Sequence, residues 1–225
     1  MPIGSVHSEL SYQYRGAILE HTEVAPARLC PEIRLHLVTA RCPLFRATEE
    51  EATRAGLIDP YWAFSWAGGQ ALARYILDHR DAFAGRSVLD FGAGGAVEGI
   101  AAAMAGARVL AADIDPMAVE AARLNAELAG VAIETTTEDF VGRVDVGWDI
   151  VLAGDVFYGY DMATPLVTWL RALAERGTTV LIGDPDRGFL DTAGLEPLAR
   201  YDAPADNDAD GSFLRPTTVY RLGGV

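Results

Sequence analysis

From residue 86 onward, short apolar runs alternate with stretches of helical periodicity almost to the end of the chain. SVLDF (87–91) predicts a strand, and Val97, Ile100, Ala101 and Met104 follow at i, i+3, i+4 and i+7, one face of a helix. ARVLAADI (107–114) predicts a second strand. Asp115 and Pro116 then read as an N-cap with proline at the first helical position, and Met117, Ala121, Leu124 and Leu128 as the buried stripe of the helix they open. VAIETT (131–136) and WDIVLAGD (148–155) predict strands three and four, the latter apolar throughout, as a strand covered on both faces must be. Thr164–Pro165 reads as the cap of a helix turning Leu166, Val167, Leu170, Leu173 and Ala174 inward, and TTVLIGD (178–184) as strand five. The tail changes character: PLARYDA (197–203) and PTTVYRL (216–222) predict a hairpin around an acidic loop at 204–212. The pattern is that of an α/β protein: a Rossmann-like seven-stranded sheet, five strands parallel plus a C-terminal β-hairpin, with helices on both faces.

Ahead of the sheet the signal is weaker. Residues 1–27 are poorly periodic and read as a loose arm, while PEIRLHLVT (31–39) is compatible with a helix or a strand. In DPYWAFSWAGGQALARYILD (59–78), Ala71, Leu72, Tyr75 and Ile76 recur at helical spacing. The partition that follows is an N-terminal extension at 1–58 and one domain at 59–225. A chain of 225 residues, half of them apolar, is long enough for one such domain with a buried sheet.

Charge narrows the class of partner. Eighteen basic residues against 32 acidic give a net charge of −14, a field that repels nucleic acid and anionic membrane and attracts a basic protein. All 18 basic residues are arginine; the chain contains no lysine. Cys30 and Cys42 lack the paired spacing of a zinc site or a disulfide framework, so reduced thiols and no metal are expected. No apolar run approaches the ~20 residues needed to cross a bilayer. The first 16 residues lack the pattern of an export or import leader, so a cytoplasmic protein is expected.

The strongest chemical signal is VLDFGAGGAVEGIAAA (88–103): a strand ending near Asp90, a turn with Gly92 and Gly94, then a helix. A dinucleotide fingerprint requires glycine at position 97, which is Val97. The carboxylate of Asp90 is also out of place against a pyrophosphate. It suits a ligand bearing an ammonium, such as the methionine end of S-adenosylmethionine (SAM). Asp113 lies 23 positions later, at the end of strand two, where a carboxylate accepts both ribose hydroxyls. In the Glu138–Asp139–Phe140 segment, a carboxylate is placed to take an adenine amino group and Phe140 to cover the ring; the same loop reads equally as solvated acids. Asp155 and Tyr158 in GDVFY (154–158) sit at the carboxyl edge of the sheet, where open α/β folds bind ligands. Asp155 can orient an incoming ammonium and the Tyr158 ring can hold it by cation–π contact. Either residue can instead be structural. Trp62 and Trp66 either close over a cofactor or fill core. Asp184 and Arg187 in GDPDR (183–187) either touch an acceptor or pair locally. Asp206, Asp208, Asp210 and Gly211 imitate the start of a calcium loop, but its twelfth position is Thr217, so a solvated loop is expected.

At these motifs the chain resembles the seven-β-strand SAM-dependent methyltransferases, and more narrowly the family that methylates lysines of the electron transfer flavoprotein beta subunit. VLDFGAGG and DIDP carry the broad resemblance; DPYW…GGQALARY and GDVFY carry the narrow one, over residues from about 31 to 190. The resemblance implies that Asp155 and Tyr158 form a D-x-x-Y signature that positions the lysine. It implies a SAM site at Trp66, Asp90, Gly92, Gly94, Asp113 and the 138–140 loop. Two departures stand out: Ala96 replaces the third glycine of the loop, and Ala67 a proline after the second tryptophan. Methylation of another protein, for example a ribosomal one, methylation of a small molecule, and a non-catalytic SAM-binding regulator are the competing expectations.

Overall fold

A computed structural model of the chain describes residues 4–46, 49–54, 60–145, 147–204 and 214–223. Its elements are α1 (Gly4–His21), β1 (Glu23–Pro26), β2 (Arg34–Leu37), α2 (Glu49–Arg54), α3 (Ala67–Asp78), β3 (Ser87–Phe91), α4 (Val97–Met104), β4 (Arg108–Ala112), α5 (Pro116–Ala129), β5 (Glu134–Thr136), β6 (Ile150–Gly154), α6 (Tyr160–Glu175), β7 (Thr179–Asp184), β8 (Leu195–Pro204) and β9 (Leu214–Leu222). The large sheet runs β5-β4-β3-β6-β7-β9-β8. Its first five strands are mutually parallel, and β9 adds antiparallel to β7 with β8 outside it.

Alternation along the strands sorts the core into two layers. Val88, Val109, Leu152 and Leu181 face α3 and α4, while Leu89, Val151, Val180 and Ile182 face Leu166, Trp169, Leu170 and Leu173 of α6. The chain winds from β3 to β4 in one direction and from β6 to β7 in the other. The carboxyl ends of β3 and β6 therefore flank the point where the winding reverses, the natural crevice of an open α/β sheet.

Three readings of the sequence are corrected, and one left open is settled. The loose arm contains an 18-residue helix, α1, which lies on α5: Ser11 donates to Glu120 at 2.7 Å and Arg15 pairs with Glu127 at 2.6 Å. Weak apolar periodicity hid this helix: Ile18 is buried in the apolar cluster with Val38 and Trp62, but Ser11 and Arg15 reach α5 through polar contacts. PEIRLHLVT resolves as the short strand β2, antiparallel to β1. Thr164–Pro165 does not open α6, which starts at Tyr160; Pro165 lies inside the helix on its exposed face, where water can satisfy the carbonyl it leaves free. Leu128 falls outside the buried stripe and is exposed, since α5 is close to its end at Gly130. Asp206, Asp208, Asp210 and Gly211 lie outside the described residues.

The segments ahead of α3 are fastened to the rest of the chain by two buried amides. Asn125 of α5 accepts from the His36 N–H at 2.7 Å and donates to the Gly95 carbonyl at 2.9 Å, joining β2 to the glycine loop. Gln70 of α3 accepts from the Leu29 N–H at 3.0 Å and donates to the Ser65 carbonyl. Ala27, Cys30, Ile33, Leu35 and Leu37 share one apolar cluster with α3 and α4. No described helix is long and apolar enough to cross a membrane.

Candidate active site

Asp90 is fully buried at the end of β3. Its Oδ2 accepts from the Gly99 N–H of α4 at 3.0 Å, while Oδ1 has no hydrogen-bond partner among the described residues. Burial, and then the nearby charge of Glu98, push its pKa well above the usual carboxylate range. The loop that follows turns through left-handed residues: Gly92 at φ 66°, Gly94 at φ 50° and Ala96 at φ 60°. Glycine carries such angles at no steric cost; at Ala96 the strain falls on an ordinary side chain, at one of the two departures from the family pattern. Asp113 closes the loop from the β4 side, accepting from Gly94 N–H at 2.8 Å through Oδ2 and from Asp115 N–H at 2.9 Å through Oδ1. Each of its oxygens keeps a lone pair for a further donor. Burial raises its pKa, and the two N–H bonds oppose the rise.

The 138–140 loop divides. Glu138 is exposed and pairs with Arg143 at 2.9 Å, and Asp139 accepts from Val141 N–H at 3.0 Å, closing its own turn. Phe140 is buried, edge-on to Trp148 at 5.0 Å, with the Arg143 guanidinium 5.0 Å from its ring centroid. Trp62 is buried against α5 in the cluster with Ala118 and Leu124. Trp66, half-buried at the N-terminus of α3, donates from its indole to the Tyr61 carbonyl at 2.8 Å.

On the other side of the crevice Asp155 follows β6 in a left-handed conformation, φ 56°. A non-glycine residue held there marks strain of the kind that gathers at functional sites. Both its oxygens are engaged. Oδ2 accepts from the Gly68 N–H at the start of α3, and Oδ1 accepts from Arg187 Nε at 3.0 Å and Nη2 at 2.6 Å. The same guanidinium lies 5.6 Å from the Trp66 ring centroid. The approach of α3 requires glycine: a side chain at Gly68 would run into the Gly183 carbonyl and the Asp155 carboxylate. Tyr158, anchored by buried Val156 and Phe157, is 67% exposed. Tyr160 is exposed beside it, edge-on to Phe189 at 4.8 Å.

Two further acids border the site: Asp184, which the sequence offers as an acceptor contact or a local pair, and Glu98, which the sequence reading did not single out. Asp184, at the end of β7, accepts from Asp186 N–H at 2.8 Å, but its buried Oδ2 has no partner among the described residues; burial raises its pKa to about 6. Glu98 of α4 is buried against the backbones of Gly69 and Gly154, and its pKa rises to about 7, chiefly through burial and also through the Asp155 charge. It is the one charged residue between Gly94 and Arg108, the signal that could have drawn attention to it.

The chain is 42% identical over 213 residues to the electron transfer flavoprotein beta subunit lysine methyltransferase of Xenopus laevis, covering 92% of this chain and 85% of that protein. With the Homo sapiens protein of the same name it shares 43% identity over 95% of this chain and 83% of that one. The chain belongs to the electron transfer flavoprotein beta subunit lysine methyltransferase family. A profile described as Ribosomal protein L11 methyltransferase (PrmA) matches residues 70–156, which includes the glycine loop and Asp155. Among solved structures, magnesium protoporphyrin IX methyltransferase from Synechocystis PCC 6803 with bound SAM superposes with a TM-score of 0.50 at 18% identity, covering 69% of this chain and 80% of that one; this is likeness of fold. As a family member, the enzyme is a lysine methyltransferase, and SAM is the cofactor its sequence motifs imply. The residues present fit that cofactor: an unpartnered buried Asp90 oxygen beside a glycine turn, with Asp113 across it, matches an ammonium at one end and ribose hydroxyls further on.

Proposed function

We propose that this enzyme methylates lysine side chains of the beta subunit of electron transfer flavoprotein, and that it does so in the cytoplasm. The observation that carries the reading is the arrangement around Asp155. A strained carboxylate at the point where the sheet reverses its winding holds a side-chain cation against the face of Trp66. That is the pairing of groups a lysine ammonium requires. The exposed aromatic rim of Tyr158, Tyr160 and Phe189's edge contact supports a protein acceptor over a small molecule, because aromatic side chains are the usual anchors of protein contacts. The net charge of −14 favours a basic face on that acceptor. Two free, buried cysteines suit a reducing compartment.

In this reading Asp90 receives the ammonium of SAM, Gly92 and Gly94 bring backbone close to it, and Asp113 takes the ribose hydroxyls. Glu138, Asp139 and Phe140 border the adenine, and Trp66 bounds the site on the α3 side. When bound, SAM supplies the electrophilic methyl on its sulfonium. Asp155 and Tyr158 hold the acceptor nitrogen in line with that methyl, and alignment is the largest service a site renders to such a displacement. A lysine amine, with a reference pKa of about 10.4, must first give up its proton, which the open rim lets pass to solvent. The test is incubation with labelled SAM in a lysate lacking the enzyme. One dominant labelled protein, bearing methyl-lysine and identified as the flavoprotein beta subunit, is expected. Label confined to small metabolites, or to another protein, would refute the assignment. The absence of lysine from the chain removes self-labelling of side-chain amines from the background.

A further inference from the structure

The acceptor's place beside Asp155 is already taken. Oδ2 of Asp155 is committed to the Gly68 N–H, and Oδ1 receives two donors from one guanidinium, Arg187 Nε at 3.0 Å and Nη2 at 2.6 Å. The same guanidinium covers Trp66 at 5.6 Å. The carboxylate oxygen that would receive an ammonium is therefore in use, and so is the face of the ring beside it. One carboxylate neutralises one cation, and a second cation brought to the same oxygen would meet Arg187 at repulsive distance.

We propose that Arg187 is a resident competitor for the acceptor lysine: it occupies the cation cradle of Asp155 and Trp66 between turnovers and must withdraw before the ammonium enters. The proposal rests on the reading of Asp155 as the acceptor's anchor. The Arg187 side chain is 23% exposed, against 5% for Asp155, so the guanidinium has a path to water while the carboxylate stays fixed. Arg187 is the more exposed partner, so it is the guanidinium that can leave toward water. Arg187 also screens the carboxylate between turnovers, leaving no unpaired charge buried beside Asp184 and Glu98. Its cost to the acceptor is the fraction of enzyme in which the cradle is free, since apparent affinity falls in proportion to the competent population.

Two variants test this, each first titrated with SAM by calorimetry to establish a folded, cofactor-binding enzyme. In R187Q the competitor is gone, and the KM for the flavoprotein beta subunit should fall roughly fivefold. In R187K the cradle receives the one ε-amine of an otherwise lysine-free chain. Incubation with labelled SAM and no acceptor should then place methyl label at position 187, read by peptide mass spectrometry. An acceptor KM that is unchanged or raised in R187Q would overturn the proposal. Should the wild-type enzyme leave the beta subunit unlabelled, the acceptor's identity is what fails. The R187K result then decides alone: label at position 187 upholds the cradle, and its absence from a variant that binds SAM overturns it.

Discussion

Replacing Glu98 by glutamine removes a carboxylate that folding makes reluctant to ionise. Its ordinary pKa of 4.5 rises to about 7 in the folded chain, because its carboxyl is buried between α3 and β6 and faces the charge of Asp155. The folded state therefore binds this proton more tightly than the unfolded state. Stability declines as pH climbs from 4.5 through 7, and the stability held at low pH is gone above that window. With about 1.4 kcal/mol for each pKa unit, ionising Glu98 costs the fold up to roughly 3 kcal/mol at pH 8, and under about 1 kcal/mol at pH 5. Glutamine keeps the shape and abolishes the titration. E98Q should accordingly gain on the wild type as pH rises, by about 2–4 °C in Tm per kcal/mol for a chain of this size. The assay is thermal and urea unfolding of both proteins without cofactor, at half-unit steps from pH 5 to pH 8. Asp184 titrates in both proteins, so to first order its contribution cancels in the difference; Asp90 feels the charge of Glu98, so E98Q also eases the ionisation of Asp90 and adds to the difference with the same sign. Parallel curves across the range, or an E98Q protein weaker at pH 8 than the wild type, would refute the reasoning.

Two further predictions concern the frame and the cofactor. Asn125→Ala leaves the Gly95 carbonyl and the His36 N–H without their partner, and should cost about 2–4 kcal/mol of stability by urea unfolding, with weakened SAM binding because the glycine loop loses its support; full SAM affinity in N125A would show that the loop holds itself. Because burial makes Asp90 reluctant to ionise until an ammonium arrives, SAM binding should release protons, seen as a calorimetric enthalpy that varies with the ionisation heat of the buffer; D90N should lose most of that variation, and an equal release from D90N would remove Asp90 from the role.

The strands and crossover helices were legible because each had to present apolar residues at a fixed period to a core on one or both faces. The site was legible to the extent that its chemistry lies at strand ends. Asp90, Asp113 and Asp155 all follow apolar runs, and the fold delivers such positions to one edge. What escaped was held by polar contacts between distant segments. Helix α1 is fastened by Ser11 and Arg15 to acids more than a hundred residues away, a link no local pattern contains. No local pattern marks Asn125 and Gln70 within their helices, yet they join the N-terminal segments to the glycine loop and to α3. Glu98 lies in the first turn of α4, where local rules alone favour an acid; its burial depends on α3 arriving over β6 through Gly68 and Gly69. Arg187 could be read as touching an acceptor or pairing locally, and only the tertiary fold brings it to Asp155 across 32 residues of chain.

The most direct test of the account sets wild-type enzyme and D155N, each with SAM, against purified flavoprotein beta subunit, followed by mass spectrometry of the acceptor. Asparagine tolerates the left-handed backbone of position 155 and keeps the side chain's shape, so the variant should fold and bind SAM. Methylated lysine is expected with the wild type, and at least about 10²-fold less in initial rate with D155N, the penalty of losing alignment at the reacting nitrogen. Equal methylation by the two proteins would contradict the assignment of Asp155 as the acceptor's anchor.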